Sequence, residues 1–424
     1  MIRVVDEKMG DGKSSGVINM INKSDDGTKF LFVTPYLSEV KRVRCACPGK
    51  EFKEPIKNED FNYSKLRGLK MLLGSGCNIA TTHALFHYFD DEVIDLIHNN
   101  NYVLVLDEVA DVIRPYLKAN AKARCEGVTK SDLDCLLKSS ARFNEATGFV
   151  DWIDDSYDGT QNPYKIDCQM HSLALYGDKQ YPLWVFPYKI FEAFKECYIL
   201  TYMFDNQIQK YYFDMLGLNY DFMGVSKIDG EYCLSQKRKK EPIVDYRKLI
   251  HICEKERLNR IGNRRTDLSK AWYSKNRSNP LMTQLKNNTS NFFKNICGCK
   301  SSQTIWTTFK GYRKCVQGKG YTKGFLACNM RATNEYGNRN CVAYLMNRYM
   351  NPVIRNFFLR YGVEVDEDGY ALSEMLQFIW RSAIRNGEEI WIYIPSARMR
   401  NLLKQWIEDN SPKLENEVKN AENK

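Results

Sequence analysis

The chain has few of the features that would place it outside the ordinary globular class. Its 424 residues hold only 12 prolines and 25 glycines, scattered singly, which excludes collagen-like, mucin-like and wholly disordered chains. Apolar runs such as Tyr102–Leu106 and the block around Pro182–Pro187 fall far short of the ~20 residues that cross a bilayer. The start, Met1-Ile2-Arg3-Val4-Val5-Asp6-Glu7, lacks the basic end and apolar stretch of a secretory signal. A cytoplasmic location is expected, with no membrane partner. Fourteen cysteines, about one in thirty residues, lie below the density of a disulfide scaffold. The close pairs Cys45/Cys47 and Cys297/Cys299 are C-x-C, not the C-x2-C of structural zinc sites, and there are only five histidines to complete such a site. Reduced thiols and no zinc are expected. No internal repeat is visible at periods of 20–50 residues.

What is present is length enough for two or three domains of ~100–200 residues, and positive charge. Lys and Arg number 62 against 52 Asp and Glu, a net +10, which draws a protein toward polyanions when the charge is clustered. It is clustered. Residues 251–277 carry eight basic side chains (Lys255, Arg257, Arg260, Arg264, Arg265, Lys270, Lys275, Arg277) against Glu254, Glu256 and Asp267, with Lys237–Lys240 just upstream. Charge alone does not separate a solvated surface from a nucleic-acid face.

Short apolar segments alternate with amphipathic ones through the first hundred residues, which predicts a parallel sheet with crossover helices. Ile2–Val5, Phe30–Thr34, Asn78–Thr81 and Tyr102–Leu106 are the strand candidates. Residues 111–197 read as an insertion, a helical stretch followed by an Asp- and Tyr-rich passage. A basic helical lead-in over Tyr246–Lys300 precedes a second strand-rich part from Ile305, with a strand-like Gly324–Asn329. Helices over Asn340–Tyr361 and Ala371–Asn386, a strand at Glu389–Pro395 and a helix at Ala397–Asp409 complete it. The pattern predicts an α/β fold of two domains, 1–240 and 241–409, and a disordered tail over 410–424.

Two motifs carry chemistry. After the first strand comes Lys8-Met9-Gly10-Asp11-Gly12-Lys13-Ser14-Ser15, running into Val17, Ile18, Met20 and Ile21. Gly10 and Gly12 let backbone N–H groups turn around phosphate oxygens, Lys13 adds a point charge near the β and γ phosphates, and Ser14 offers a hydroxyl to magnesium, with Ser15 beside it at the positive helix end. The full pattern G-x4-G-K-[ST] has glycine where this chain has Glu7. The second motif, Val103-Leu104-Val105-Leu106-Asp107-Glu108, places an acidic pair at a strand end. Asp107 would serve magnesium, and Glu108 would orient or deprotonate water.

With these in place, Val33-Thr34-Pro35-Tyr36, Ala80-Thr81-Thr82-His83 and Asp107-Glu108-Val109-Ala110 follow the glycine loop in the order of motifs Ia, Ib and II of superfamily 2 helicases. The chain resembles this DEAD/DEAH-like group, and in particular the helicase-like proteins of bacteriophages and prophages. The resemblance implies two RecA-like P-loop domains, parallel sheets flanked by helices, with a helical insertion in the first. It implies ATP and Mg2+ as ligands, and nucleic acid as partner, single-stranded DNA favoured and RNA possible. Thr34, Pro35, Thr81, Thr82 and Thr201 would meet the phosphate backbone. Ninety-two residues separate Glu108 from Thr201, so the insertion is read as a packing module, or as a strand-separating element or a docking element for a replication protein. Gln377-Phe378-Ile379-Trp380-Arg381-Ser382-Ala383-Ile384-Arg385 is similar to motif VI, Q-x-x-G-R-x-x-R, with Trp380 for glycine and the second arginine four residues on. If helical, Gln377, Arg381 and Arg385 share one face, and either arginine could stabilise charge on the transferred phosphoryl group. Ile305–Lys310 and Phe325–Asn334 occupy the places of motifs IV and V. The implied activity is an ATP-dependent helicase or translocase in phage DNA replication or recombination, with Glu108, Gln377, Arg381 and Arg385 in the hydrolytic site. Two other readings stay open: the ATPase of a viral DNA-packaging terminase, and a nucleotide-gated nucleic-acid clamp that hydrolyses little.

Overall fold

The computed structural model describes residues 1–57, 64–116, 130–157, 159, 162–178, 181–237, 241–328 and 335–413. They form two compact units, Met1–Lys237 with Asn351–Val365, and Arg238–Met350 with the residues from Asp366 onward.

In the first unit the strands are β1 (Ile2–Asp6), β2 (Phe30–Thr34), β3 (Ile79–Thr82), β4 (Val103–Asp107), β5 (Ile113–Pro115), β6 (Ala141–Phe143), β7 (Val150–Trp152), β8 (Leu173–Tyr176), β9 (Tyr181–Val185), β10 (Glu196–Thr201), β11 (Tyr220–Ile228) and β12 (Glu231–Gln236). Seven of them build one sheet in the order β12-β11-β1-β10-β4-β2-β3. Every pairing is parallel except β11 with β12. A parallel sheet is covered on both faces, so its strands read as continuous apolar runs, and all five residues of β2 are buried. The register sets Asp6 beside Thr201, Leu200 beside Asp107, and Thr34 beside Thr82. These residues therefore share the carboxyl edge, where open parallel sheets bind ligands. Helix α1 (Lys13–Lys23) buries Val17, Ile18 and Ile21 against the sheet, the spacing of an amphipathic helix.

Between β4 and β10 lies the insertion. It contains helices Lys130–Ser139 and Asn162–Gln169, and also two antiparallel sheets, β5-β9-β8 and β6-β7. Their strands of three to five residues are too short to show a period of two. Helix Pro352–Arg360, from late in the chain, belongs to this unit. Arg360 Nη2 donates to the Glu145 carbonyl at 2.8 Å, Tyr361 Oη donates to the Thr147 carbonyl, and the Phe358 ring lies 5.9 Å from that of Tyr211.

The second unit is built on β13 (Ile250–Ile252), β14 (Thr304–Thr307), β15 (Cys341–Tyr344) and β16 (Ile390–Tyr393), all parallel in the order β13-β16-β15-β14. Helices Pro280–Asn291, Glu367–Ile379 and Ala397–Asp409 accompany it. Three expectations are corrected here. The predicted helix Asn340–Tyr361 is strand β15 followed by a helix that starts only at Pro352. Four consecutive buried residues suit a two-faced strand, and Asn351 caps the later helix through Val353 N with proline at its first position. The predicted helix Ala371–Asn386 ends at Ile379, with a separate turn at Ala383–Asn386. The predicted strand at Gly324–Asn329 is reduced to one bridge between Phe325 and Trp306, and Asn329–Asn334 lie outside the described residues. Of the predicted tail, Asn410–Lys413 follow the last helix and 414–424 are outside the described residues, as are Arg238–Lys240. Among the described residues no helix is long and apolar enough to cross a membrane.

Candidate nucleotide site

The glycine loop bridges β1 and α1 at the carboxyl edge of the first sheet. Gly10 and Gly12 hold φ of 98° and 82°, values that favour glycine. Gly12 is also the residue against which the Tyr232 ring packs, and a Cβ there would overlap that ring. The β11–β12 hairpin thus closes on the loop from outside. Asn19 on α1 donates to the Tyr232 carbonyl at 3.0 Å.

Lys13 Nζ donates to the carbonyls of Glu7 at 2.6 Å and Lys8 at 2.9 Å. Two of its three protons fix the ammonium over the loop and one remains for a phosphate oxygen. Burial lowers its pKa, opposed by the charges of Glu108, Asp107, Asp11 and Asp6. Ser14 Oγ donates to Asp107 Oδ1 at 3.3 Å, so the residue types expected to share a cation lie together. Ser15 is exposed. Burial, then the neighbouring Glu108, pushes the Asp107 carboxyl up to about 6, while Arg42 and Lys13 pull the other way. Glu108 takes φ 69°, a left-handed conformation costly for a residue with a Cβ. Its N–H still continues the ladder to the Leu200 carbonyl at 2.9 Å. The chain is therefore turned sharply just where the second acid leaves the strand.

Glu7, where the motif has glycine, does not enter the loop. Its Oε1 accepts from Val225 N at 3.1 Å on β11, where a Cβ on Gly224 would crowd it. Asp6, buried beside it, accepts from Met203 N at 2.8 Å and pairs with Lys237 at 2.6 Å. His83 Nε2 lies 2.8 Å from the Asp107 carbonyl, so that nitrogen carries the proton and ties the third strand end to the acidic one. Sequence reasoning did not assign Asp6, His83, Arg42 or Tyr232 to this site. Asp6 was legible as the acid preceding the loop, but nothing local marks Tyr232, some 220 residues after Gly12.

The threonines expected to meet nucleic acid stand at the carboxyl ends of their strands. Thr34, Thr81 and Thr201 are buried. Thr34 Oγ1 donates to the Tyr36 carbonyl at 2.9 Å, and Thr201 Oγ1 accepts from Gln207 Nε2 at 2.8 Å. These side chains brace the strand ends, and only Pro35 and Thr82 are partly exposed there.

In the second unit Gln377, Arg381 and Arg385 do not share a helix face. Gln377 is in the last turn of Glu367–Ile379, Arg381 follows the helix end, and Arg385 is in the turn beyond an extended Ser382. The break follows from Trp380, which sits buried at the helix end between the rings of Tyr246 at 5.7 Å and Trp406 at 5.3 Å. Arg381 is buried and Arg385 exposed. Backbone bonds from Ala383 N to the Arg339 carbonyl and from Trp391 N to the Asn340 carbonyl put this segment at the amino edge of the second sheet. The acids at 364–368 form a helix start: Asp366 accepts from Asp368 N and Gly369 N, and Asp368 pairs with Arg398. Among the described residues no group of three or more His, Cys, Asp or Glu could hold a metal ion.

This arrangement, a glycine loop, an acidic strand end and a second parallel unit, defines an α/β protein of two RecA-like halves with a helicase-like fold. An apo structure of XPD superposes over 95% of this chain and 95% of its own at a TM-score of 0.50, with 11% identity. The helicase MrfA, solved bound to DNA, aligns at a TM-score of 0.33 and 8% identity over 97% of this chain and 47% of its own. The family model of the YonV C-terminal Rossmann-like domain matches residues 244–407. The SPbeta prophage-derived protein YonV of Bacillus subtilis strain 168 is 40% identical over 423 residues, covering 96% of this chain and 99% of its own. The chain belongs to the YonV family.

Proposed function

We propose that the protein is an ATP-driven motor on nucleic acid, a helicase or translocase working in phage DNA replication or recombination. The observation that carries this reading is the convergence of Lys13, Ser14, Asp107 and Glu108 on one strand edge, with Ser14 Oγ 3.3 Å from Asp107. Such a set fits magnesium, which takes one or two carboxylates and completes its shell with water and substrate phosphates. Ser14 and Asp107 would hold it, and when bound it supplies charge neutralisation on the β and γ phosphates. The loop amides and the Lys13 ammonium bind the phosphates. Glu108, turned out of the strand, orients the attacking water and takes its proton. In the second unit Arg381 or Arg385 is the guanidinium proposed for the transferred phosphoryl group, with Gln377 helping to position water. A packaging-type ATPase with its own nuclease is disfavoured, because the late acids cap a helix and bind Arg398.

The test is the ATPase rate with and without single-stranded DNA, wild type beside Glu108→Gln. Stimulation by DNA in the wild type and a 10²–10⁴-fold loss in the variant, with nucleotide still bound, are expected. Nucleic-acid binding with equal, negligible turnover in both proteins would favour the clamp instead.

A further inference from the structure

The basic stretch that charge alone left undecided has a definite place in the second unit. From Gly262 to Tyr273 it is strung along the carboxyl edge of the sheet. Gly262 lies so close to the Pro395 carbonyl, just after β16, that a Cβ would overlap it. Asn347, just after β15, donates through Nδ2 to the carbonyls of Arg265 at 2.8 Å and Asp267 at 3.0 Å, and Tyr349 Oη donates to the Arg265 carbonyl at 2.6 Å. Tyr273 Oη reaches the Leu345 carbonyl at 2.5 Å, and its ring stands 5.7 Å from Phe309 and 5.2 Å from Tyr312, just after β14. The segment's carbonyls are thereby tied to the sheet while its long side chains are exposed.

The result is a cationic surface. Arg264, Arg265, Lys270 and Arg277 are exposed on the segment, and Lys310 and Arg313 on the turn after β14. The Arg277 guanidinium lies 5.9 Å over the Tyr312 ring, which joins the two stretches. Among the described residues none of these six is in an ion pair, whereas Arg348 and Arg398 nearby pair with Glu374 and Asp368. Asp267 accepts from Arg264 N at 2.9 Å, so its carboxylate is engaged in shaping the loop. Like charges held at a sheet's ligand-binding edge repel one another, and a polyanion that releases counterions relieves this. Trp272, Phe309 and Tyr312 are partly exposed among them, and aromatic faces between cations suit unstacked bases.

We infer that this edge, from Arg264 to Arg277 with Lys310 and Arg313, is a docking surface for the phosphate backbone of single-stranded nucleic acid. The inference deepens the motor reading and rests on it, since it names where the second unit would grip its track.

Full-length protein is titrated with a fluorescent oligo-dT at several salt concentrations, without nucleotide. Arg264→Ala/Arg265→Ala/Lys310→Ala is compared with wild type and with an equal-charge control, Lys41→Ala/Lys138→Ala/Lys404→Ala, after thermal melting shows all three folded. Three lost contacts at about 0.7 each should lower the slope of log K against log salt by about 2. The dissociation constant should rise about tenfold or more, with a smaller change in the control. An unchanged slope, an equal loss in the control, or a larger loss of polyglutamate than of oligo-dT binding would overturn the inference, the last assigning the edge to an acidic protein. Should the triple fail to fold, Arg264→Gln with Lys310→Gln gives the same comparison with a slope change of about 1.4. Because turnover is not read, a chain without ATPase activity can pass this test and an active ATPase can fail it.

Discussion

The two sheets share an architecture, parallel strands with loops at their carboxyl ends, yet those edges carry opposite electrostatics. On the first, Asp6, Asp11, Asp107 and Glu108 surround one ammonium, and burial shifts both Lys13 and Asp107 away from their ordinary titration ranges. On the second, arginines and lysines stand exposed on a segment whose backbone alone is tied down. Enclosure makes charge reactive, because desolvated groups interact strongly and titrate abnormally. Exposure makes charge adhesive, because a hydrated cation can exchange its counterions for phosphates at little cost. One fold can thus place chemistry on one sheet edge and grip on the other.

The widest separation between the two edges should come from Lys13→Ala. Loss of the ammonium removes a charge from the phosphates as negative charge shifts between oxygens, and turnover should fall at least 10²–10³-fold. Oligo-dT affinity without nucleotide should stay within about twofold. Steady-state ATPase and fluorescence anisotropy on the same preparation check both halves. A variant that lost DNA affinity in step with turnover would break the division between edges.

The first edge was readable in the sequence and the second only as a run of basic residues over 251–277, for a physical reason. A phosphate loop and an acidic strand end need fixed residue types at short spacing, so Gly10–Ser14 and Asp107–Glu108 announce themselves over a few residues each. The six cations of the second edge are drawn from separate stretches, brought together by Asn347, Tyr349 and the Tyr273–Tyr312 contact, which no local pattern encodes. Tyr232 at Gly12 and Glu7 at Val225 N belong to the same class, since long-range packing decides them. Periodicity failed where its two readings coincide. The four buried residues of β15 suit a helix or a strand, and Gln377, Arg381 and Arg385 keep helical spacing through a helix end fixed by Trp380 and its aromatic neighbours.

That helix end supplies the next test. Trp380 stands where related motifs have glycine, is 4% exposed, and packs on Tyr246 and Trp406. Trp380→Ala should destabilise the second unit by about 3–5 kcal/mol, the range for deleting a buried indole. Nucleotide affinity at the first unit should be preserved. Denaturant unfolding followed beside binding of a fluorescent ATP analogue would show this. An unfolding midpoint within error of wild type would mean that the aromatic cluster is not what ends the helix.

The smallest effect is the most specific to enclosure. Asp107 titrates near 6 in the folded chain against an ordinary value near 3.9, so the native state holds this proton more tightly than the unfolded state does. Between those two values the folded chain binds more protons, and stability must therefore decline as pH rises through that window. Asp107→Asn removes the ionisation. The variant should match wild type near pH 4 and exceed it at pH 7–8 by roughly 1–3 kcal/mol, while losing ATP turnover for want of the carboxylate. In wild type, Mg2+-dependent nucleotide binding should weaken as pH falls below about 6 and the carboxyl takes up its proton. Urea unfolding at five pH values gives the first result and nucleotide titration the second. A stability difference independent of pH would mean that Asp107 is solvated like any exposed acid. The enclosure that sets the first edge apart would then be lost, and the opposition of the two edges would reduce to the sign of their charge.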